Sequence, residues 1–318
     1  MPSPSPKSSV LERMPPGSRI AVIRLRSLGD CVLTTPALRL LKSHRPDLRL
    51  AVVVEDRFRA IFEENPDVEK ILPPRTGAIL HWRPRLTLNL HGGTRSMALT
   101  ACSVGAERAG FGHHRFNFLY SAKVPRAQEI LGEERPVHTA EHIASAMFWM
   151  GVPQTEIPRA RLAAAKIPEF VRGGYAVLHP FASAADKTWP ASNFRAVAMH
   201  LRRACDLEPV FVAGPDDDVV AFEGFRVWRG APLGELKSLM ARAQIFIGND
   251  SGPAHIAAAF GIPVVAIFGS SNAVTWAPWK TEARVLKSEN GISGVRVDEA
   301  VAAIEALREV HAHPEPRA

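Results

Sequence analysis

The sequence has 318 residues, of which 46% are apolar and 22% are charged, and its formal net charge is +7. This length favours two domains, and the balance of residue types is typical of a soluble globular protein and excludes a largely disordered chain. The positive charge predicts acidic ligands or partners.

Cysteine usage and the N-terminal residues predict a cytoplasmic protein. Cys31, Cys102 and Cys205 lie far apart and form neither a CxxC pair nor a Cys/His set with zinc spacing, so neither disulfides nor a metal site is expected. Residues 1–17 begin with a Pro- and Ser-rich stretch that lacks the apolar core of a signal peptide, and we expect a disordered tail there. No apolar run reaches the ~18 residues of a membrane span.

Strands and helices alternate in the predicted first domain, residues 18–160. Apolar runs at residues 20–25, 48–54 and 86–90 predict buried strands. A helix is predicted after the first strand from the apolar spacing of residues 33–41, and further helices at 58–64 and 138–150. Strands that alternate with helices are typical of a parallel, doubly wound sheet.

The same pattern restarts after residues 151–174, which contain three prolines and no strong periodicity and are interpreted as a linker. Strands are predicted at residues 175–179, 209–213, 243–247 and 263–268, and helices at 191–203, 233–242 and 256–260. We therefore predict the α/β class, with two Rossmann-like doubly wound domains (18–160 and 161–318) facing a central cleft. A last helix at residues 298–310 is expected to return to the first domain.

Two strand ends in the second domain predict a ligand site. Residues 248–255 (GNDSGPAH) join a buried strand to a helix of small residues, and the next strand ends in GSSN at 269–272. Free N–H groups and the helix dipole at such a turn suit a phosphate or diphosphate. Two ordinary turns, in which Asp and Ser only cap helices, are the alternative.

The positive charge is concentrated in a basic segment, residues 75–126. This segment has eight Lys or Arg residues against one acid, Glu107, and also four histidines. Nucleic acid, anionic lipid and acidic sugars are all admissible ligands, and a merely solvated basic surface is the alternative.

Four ordered stretches resemble those of glycosyltransferase family 9, the heptosyltransferases. They are residues 24–30 with 33–38 (RLRSLGD, LTTPAL), 179–183 with 187–190 (HPFAS, KTWP), 250–255 (DSGPAH) and 268–271 with 276–279 (FGSS, WAPW). The resemblance implies the GT-B fold and inverting transfer of heptose, commonly from ADP-heptose, to the inner core of lipopolysaccharide. It also implies a soluble enzyme that approaches the inner face of the inner membrane to reach its anionic glycolipid acceptor.

The resemblance also implies roles for individual residues. Asp30 matches the proposed general base, with capping of a helix that begins near residue 31 as its alternative role. The charge of the leaving diphosphate predicts that Lys187 meets it, with an exposed loop lysine as the alternative, and Asp250 is expected to meet the transferred sugar. The other expected nucleotide-sugar residues are Ser183, Ser251, Gly252, His255, Gly269 and Ser270, and a packed core histidine is the alternative for His255. The expected acceptor residues are Arg95, Arg108 and Arg115, on a stretch whose glycines at 105, 110 and 112 are expected to make it a flexible loop.

No metal or other cofactor is required by this interpretation. A metal-dependent mechanism would need an acidic pair such as DxD at the diphosphate, and the only run of that type, Asp216 to Asp218, lies in a Gly-Pro turn where it would cap a helix or meet a ribose. Two other classes remain as alternatives. An NAD-dependent oxidoreductase would need a G-x-G-x-x-G turn, which residues 26–30 lack. A nucleic-acid binder could use the basic segment, but no nucleic-acid motif accompanies it. A family member with another donor or acceptor is the nearer alternative.

Overall fold

The computed structural model describes residues 9–164 and 173–312 and contains two compact units, Met1–Arg161 and Leu162–Ala318. Each unit is built on one parallel sheet of six strands with helices in the connections. The predicted α/β class with two Rossmann-like units is therefore confirmed. Within the described residues, no helix has both the length and the apolar character to cross a bilayer.

The first unit contains the strands β1 (Arg19–Ile23), β2 (Arg49–Val53), β3 (Lys70–Leu72), β4 (Leu86–Asn89), β5 (Glu107–Phe111) and β6 (Ala122–Val124). Its helices are α1 (Leu28–His44), α2 (Thr76–Trp82), α3 (Thr94–Ala101), α4 (Ala127–Leu131) and α5 (Thr139–Met150). The short helix predicted at 58–64 is a 3-10 turn at Asp56–Ile61.

The second unit contains the strands β7 (Tyr175–His179), β8 (Glu208–Ala213), β9 (Arg226–Arg229), β10 (Ile245–Asn249), β11 (Val264–Phe268) and β12 (Ala283–Lys287). Its helices are α6 (Ala191–Ala204), α7 (Leu233–Met240), α8 (Gly252–Phe260), α9 (Ala273–Trp276) and α10 (Val297–Ala312). Its central strands are fully buried because helices cover both faces of the sheet, which explains their unbroken apolar sequences.

The two sheets have equivalent strand orders, β3-β2-β1-β4-β5-β6 and β12-β11-β10-β7-β8-β9. In each sheet the direction of winding reverses once, between β1 and β4 and between β7 and β10. Ligands of open parallel sheets bind outside the carboxyl ends of the strands at this switch point. The residues that follow these four strands are therefore the first candidates for a site.

The tail and the linker are partly outside the described residues, which exclude 1–8 and 165–172. Residues 9–17 form turns in which Val10, Leu11 and Met14 are buried. The N–H of Leu11 donates to the carbonyl of Met150 at 3.0 Å, and the guanidinium of Arg45 donates to the carbonyl of Leu11 at 2.6 Å. Disorder was the wrong prediction for 9–17, because the burial of three apolar side chains and these hydrogen bonds to Met150 and Arg45 together hold the segment on the first unit.

The last helix also differs from its prediction. Helix α10 packs against α6, β11 and β12 of its own unit. Its apolar residues Ala300, Ile304 and Leu307 lie in the core of the second unit, together with Trp189. The expected return of residues 298–310 to the first domain is therefore replaced by packing on the second sheet.

Candidate functional site

Asp30 lies at the switch point of the first sheet, in the first turn of α1. The helix begins at Leu28 with Ser27 as its N-cap, so Asp30 is not the cap of a helix that begins near residue 31. Its carboxylate accepts hydrogen bonds from the Ser27 hydroxyl at 2.9 Å and from the Ser27 backbone N–H at 3.4 Å. This capping box fixes the carboxylate beside the end of β1.

Arg24, buried directly after β1, is the other partner of Asp30. Its Nη1 lies 3.1 Å from Oδ1 of Asp30, whose side chain is 23% exposed. Burial lowers the pKa of Arg24, while the charge of Asp30 raises it. One cation and one serine thus orient a carboxylate that solvent can still reach.

Four histidines surround the carboxyl ends of β4 and β5 in the same unit. They are His91 after β4, His113 and His114 after β5, and His142 on α5, whose ring stacks on Phe111 at 4.1 Å. Burial lowers the pKa of all four, and lowers those of His114 and His142 to about 4. Near pH 7 they are therefore neutral, and His91, His113 and His114 add no charge to the basic segment in which they lie.

The three arginines predicted to bind the acceptor do not lie together. Arg95, in the first turn of α3, and Arg115, in the loop after β5, are exposed on the carboxyl side of the sheet. Arg108 is the second residue of β5, so it lies near the amino edge. The stretch 95–115 was expected to be a flexible loop, which is wrong, because most of it is taken up by α3 and β5.

In the second unit, Asn249 anchors the loop 180–190, which carries Lys187. Asn249 is fully buried at the end of β10. Its Nδ2 donates to the carbonyl of Pro180 at 2.8 Å, and its Oδ1 accepts from the N–H of Trp189 at 3.1 Å. One side chain thus ties both ends of the loop to the switch-point strand.

Gly269 allows this loop to lie against the end of β11. A Cβ at position 269 would overlap the carbonyl of Asp186 and lie 3.2 Å from Cα of Lys187. Lys187 is half-buried at the end of a 3-10 turn, Ala185–Lys187. The close approach explains why a glycine follows the strand.

Asp250 follows β10 and is half-buried. Burial raises the pKa of its carboxyl, while the hydroxyl of Ser271 and the charge of Lys187 lower it. The structure therefore brings together Lys187, Asp250 and Gly269, three residues predicted from separate parts of the sequence.

Ser251 is the N-cap of α8 but makes no capping hydrogen bond. Its hydroxyl lies 3.0 Å from Nδ1 of His179, the last residue of β7. Burial lowers the pKa of His179 to about 4, although the charge of Asp217 acts in the opposite direction. A neutral histidine thus holds the serine. In the first turn of α8, Pro253 has no N–H and the N–H of Ala254 donates to the carbonyl of Ser251 at 3.1 Å, which leaves the N–H of Gly252 to face outward as in anion sites.

The remaining residues predicted to bind the nucleotide sugar differ in their exposure to solvent. Ser183 and Ser270 are exposed, and Gly252 is the first residue of α8. His255 is only 3% exposed and packs edge-to-face on Trp276, with 6.3 Å between the ring centroids. Its role in binding stays a prediction.

The acidic run at residues 216–218 is bonded to the backbone of the turn in which it lies. The carboxylate of Asp217 accepts from the N–H of Gly214 at 2.6 Å, and that of Asp218 accepts from the N–H of Val220 at 3.0 Å. Capping thus engages two of the three acids.

Arg24, His179 and Asn249 received no role from the sequence. Each ends a switch-point strand or directly follows one. A polar residue at the end of an otherwise apolar run is the signal that could have identified them.

Comparisons with known proteins point to one family. The model of a family described as glycosyltransferase family 9 (heptosyltransferase) matches residues 85–300. Lipopolysaccharide heptosyltransferase 3 of Escherichia coli is 27% identical over 294 residues, which cover 80% of this chain and 84% of that protein.

Solved structures share the fold. A family 9 glycosyl transferase from Veillonella parvula matches with a TM-score of 0.80 and 23% identity, covering 91% of this chain and 97% of that one. The E. coli heptosyltransferase WaaC with ADP-2-deoxy-2-fluoro heptose matches with a TM-score of 0.73 and 20% identity, covering 91% and 99%.

Proposed function

The chain belongs to glycosyltransferase family 9, the heptosyltransferase family, and we propose that it transfers a heptose from ADP-heptose to the inner core of lipopolysaccharide. The donor is supported by the relative of like fold that is described with an ADP-heptose analogue. The acceptor is supported by the relative named lipopolysaccharide heptosyltransferase 3. A family member with another nucleotide sugar or acceptor is the alternative.

The arrangement at the switch point of the second sheet carries the proposal, because a cation, a helix N-terminus and a carboxylate meet there. Lys187 and the start of α8 would balance the charge of the diphosphate, which grows as the leaving group departs. Asp250 would accept hydrogen bonds from sugar hydroxyls, since a carboxylate repels a diphosphate. The other proposed donor-site residues are Ser183, Ser251, Gly252, His255, Gly269 and Ser270.

Asp30 is the proposed general base of an inverting reaction. The acceptor hydroxyl attacks the anomeric carbon from the face opposite the diphosphate, and the bond from that carbon to the diphosphate oxygen breaks. The hydroxyl proton passes to a carboxylate oxygen of Asp30, which Arg24 and Ser27 hold in place. A carboxylate is a weak base for a free hydroxyl, so the proton passes late, when the attacking oxygen has become acidic.

No metal ion takes part in this mechanism. Lys187 and α8 supply the positive charge, and Asp217 and Asp218 are engaged by backbone N–H groups. Arg95 and Arg115 would bind the phosphates and carboxylates of the acceptor as two-pronged donors. Exposed arginines also suit an anionic lipid surface, so the proposal includes peripheral binding at the inner face of the inner membrane.

Thermal shift with ADP, UDP, GDP and CMP tests the donor site. ADP is expected to raise the Tm most, since a ligand at 100 times its Kd stabilises a protein by ~2.7 kcal/mol. A larger shift with another nucleotide would support the alternative donor, and no shift with any of them would contradict the proposal.

Transfer from ADP-heptose to heptose-deficient lipopolysaccharide tests the chemistry. Asp30→Asn should keep the ADP shift and lose ~10²–10⁴ in rate. Asp47→Asn is the matched control, because Asp47 also pairs with an arginine, Arg45, at 2.8 Å. Near-normal transfer by Asp30→Asn would leave Asp30 only as the N3 residue of the capping box with Ser27. Loss of transfer in EDTA that Mg²⁺ restores would contradict the metal-free mechanism.

A further inference from the structure

We propose that the second unit binds one Zn²⁺ ion through His200, Cys205 and Glu305. His200 lies on α6, Cys205 is the C-cap of that helix, and Glu305 lies on α10. Nε2 of His200 is 2.7 Å from Oε1 of Glu305, and Sγ of Cys205 is 3.7 Å from the same oxygen. One donor atom from each of the three residues lies within 4.8 Å of the other two.

These separations suit a single tetrahedral ion. Zinc bonds of ~2.0–2.3 Å to N, O and S place neighbouring ligand atoms roughly 3.3–3.8 Å apart. The Cys205–Glu305 distance of 3.7 Å already lies in that range. The His200–Glu305 hydrogen bond must open, and the donor atoms of His200 and Cys205, which lie within 4.8 Å of each other, must settle in the same range. The side chain of Glu305 is 41% exposed and can move. Water would fill the fourth position.

The donor set selects a borderline-soft ion over Mg²⁺ or Ca²⁺, which prefer oxygen ligands. On binding, the thiol of Cys205 loses its proton to solvent, and the imidazole of His200 carries its proton on Nδ1. Arg308 is the neighbouring cation: its Nη1 lies 3.7 Å from Oε2 of Glu305, and its Nη2 donates to the carbonyl of Cys205 at 3.1 Å. The thiolate of Cys205 and the carboxylate of Glu305 are each negative and the guanidinium of Arg308 is positive, so the net charge around the ion is −1.

The proposed ion lies away from the nucleotide-sugar residues. Helix α6 begins after the loop that carries Lys187 and ends before β8, so Cys205 is at the amino edge of the sheet. Lys187 and Ser251 are at the carboxyl edge. The ion would therefore clamp α6 to α10 and take no part in sugar transfer. The sequence did not predict it, because Glu305 is brought to His200 and Cys205 only by the packing of α10.

Titration of the EDTA-treated full chain with Co²⁺ tests this proposal. We expect one equivalent to bind with a thiolate-to-cobalt charge-transfer band and the visible bands of a tetrahedral site, all removed by added Zn²⁺. Cys205→Ser should lose the charge-transfer band, whereas Cys102→Ser, a partly exposed thiol in the first unit, should keep it. Absence of the band, or a band that Cys205→Ser leaves unchanged, overturns the proposal.

A second variant keeps the test decisive if Cys205→Ser does not fold. Glu305→Gln changes a half-exposed side chain and should weaken Co²⁺ binding by at least the ~10-fold typical of disturbing even an outer-sphere partner. Zn²⁺ should raise the Tm of the unaltered chain and not that of Glu305→Gln. Unchanged Co²⁺ affinity in this variant would also overturn the proposal.

Discussion

Ser251 hydrogen-bonds to His179 across the switch point of the second sheet and not to its own helix. In the tautomer that carries its proton on Nδ1, the imidazole of His179 donates to the serine oxygen. The hydroxyl of Ser251 then has its own proton free for a phosphate oxygen. The same bond turns the serine hydroxyl away from its own helix, so the hydroxyl, the N–H of Gly252 and the dipole of α8 can act together on an anion.

His179 is therefore predicted to be a positioning residue that acts through Ser251. His179→Ala should weaken ADP binding by about 2- to 10-fold, the value of one hydrogen bond. The double variant with Ser251→Ala should bind ADP no more weakly than Ser251→Ala alone, because the histidine then has nothing to position. Calorimetric titration measures all three variants. Additive losses would show that His179 acts on the ligand by another route.

Lys187 is predicted to contribute both to binding and to rate. Lys187→Ala should weaken ADP binding by ~10–100-fold, as expected for a charge-assisted contact, and should also lower kcat, because the diphosphate gains charge in the transition state. Lys280→Ala, which removes an exposed lysine beside Trp279, is the control. Unchanged affinity and kcat in Lys187→Ala would mean that this lysine faces solvent.

Gly269→Ala is predicted to displace the loop that carries Lys187. The new methyl group would overlap the carbonyl of Asp186. We expect about 1–3 kcal/mol less free energy of unfolding, typical of overpacking, and weaker ADP binding. Gly234→Ala is the matched control, since nothing lies within 4 Å of a Cβ there. ADP affinity at the original level in Gly269→Ala would contradict this role.

The central strands were predictable and the edge strands were not. Residues 175–179 predicted β7 with its observed bounds, because a strand buried on both faces is a short apolar run. The edge strands β9 (RVWR) and β12 (ARVLK) carry charges and have exposed faces, so they lack such a run. In the basic segment, α3 (TRSMALTA) and β5 (ERAGF) also lack an unbroken apolar run, so they were not predicted.

Only the site residues that stand in recognisable motifs could be predicted from the sequence. Asp30, Lys187 and Asp250 stand in motifs, and the strand–helix turn at 248–255 predicted an anion site. The bonds of Asn249 to Trp189 and Pro180 join residues that lie 60 and 69 positions apart in the chain, which no local pattern encodes.

Acid is predicted to destabilise the fold through its buried histidines. The pKa values of His114, His142 and His179 are about 4 in the folded protein, against ~6.5 for a free histidine. Between these values the unfolded chain binds more protons, so the free energy of unfolding falls as pH falls from 6.5 toward 4. Each histidine contributes at most about 1.4 kcal/mol per pH unit.

Urea unfolding at pH 7.5, 6 and 5 measures this dependence. His142→Gln should reduce the loss of stability between pH 7.5 and 5. His44→Gln, at an exposed position near the end of α1, controls for the loss of an imidazole in general. An identical pH dependence in His142→Gln and the unaltered chain would contradict the prediction.

The position of an arginine, and not the total charge, is predicted to decide acceptor binding. Arg95 and Arg115 lie on the carboxyl side of the first sheet, whereas Arg85, just before β4, and Arg108 lie near its amino edge. Arg95→Ala with Arg115→Ala should raise the acceptor KM and leave ADP affinity unchanged. Arg85→Ala with Arg108→Ala removes the same charge and should change neither.

High salt should reduce the rise in acceptor KM that Arg95→Ala with Arg115→Ala causes, because both arginine side chains are exposed and salt screens their charges. Steady-state kinetics with purified acceptor, at low and high salt, measures both effects. Equal rises in KM for the two double variants would mean that long-range attraction by the whole unit binds the acceptor. If Arg95→Ala with Arg115→Ala instead loses ADP binding and keeps its acceptor KM, the donor and acceptor roles of the two units are the reverse of those proposed.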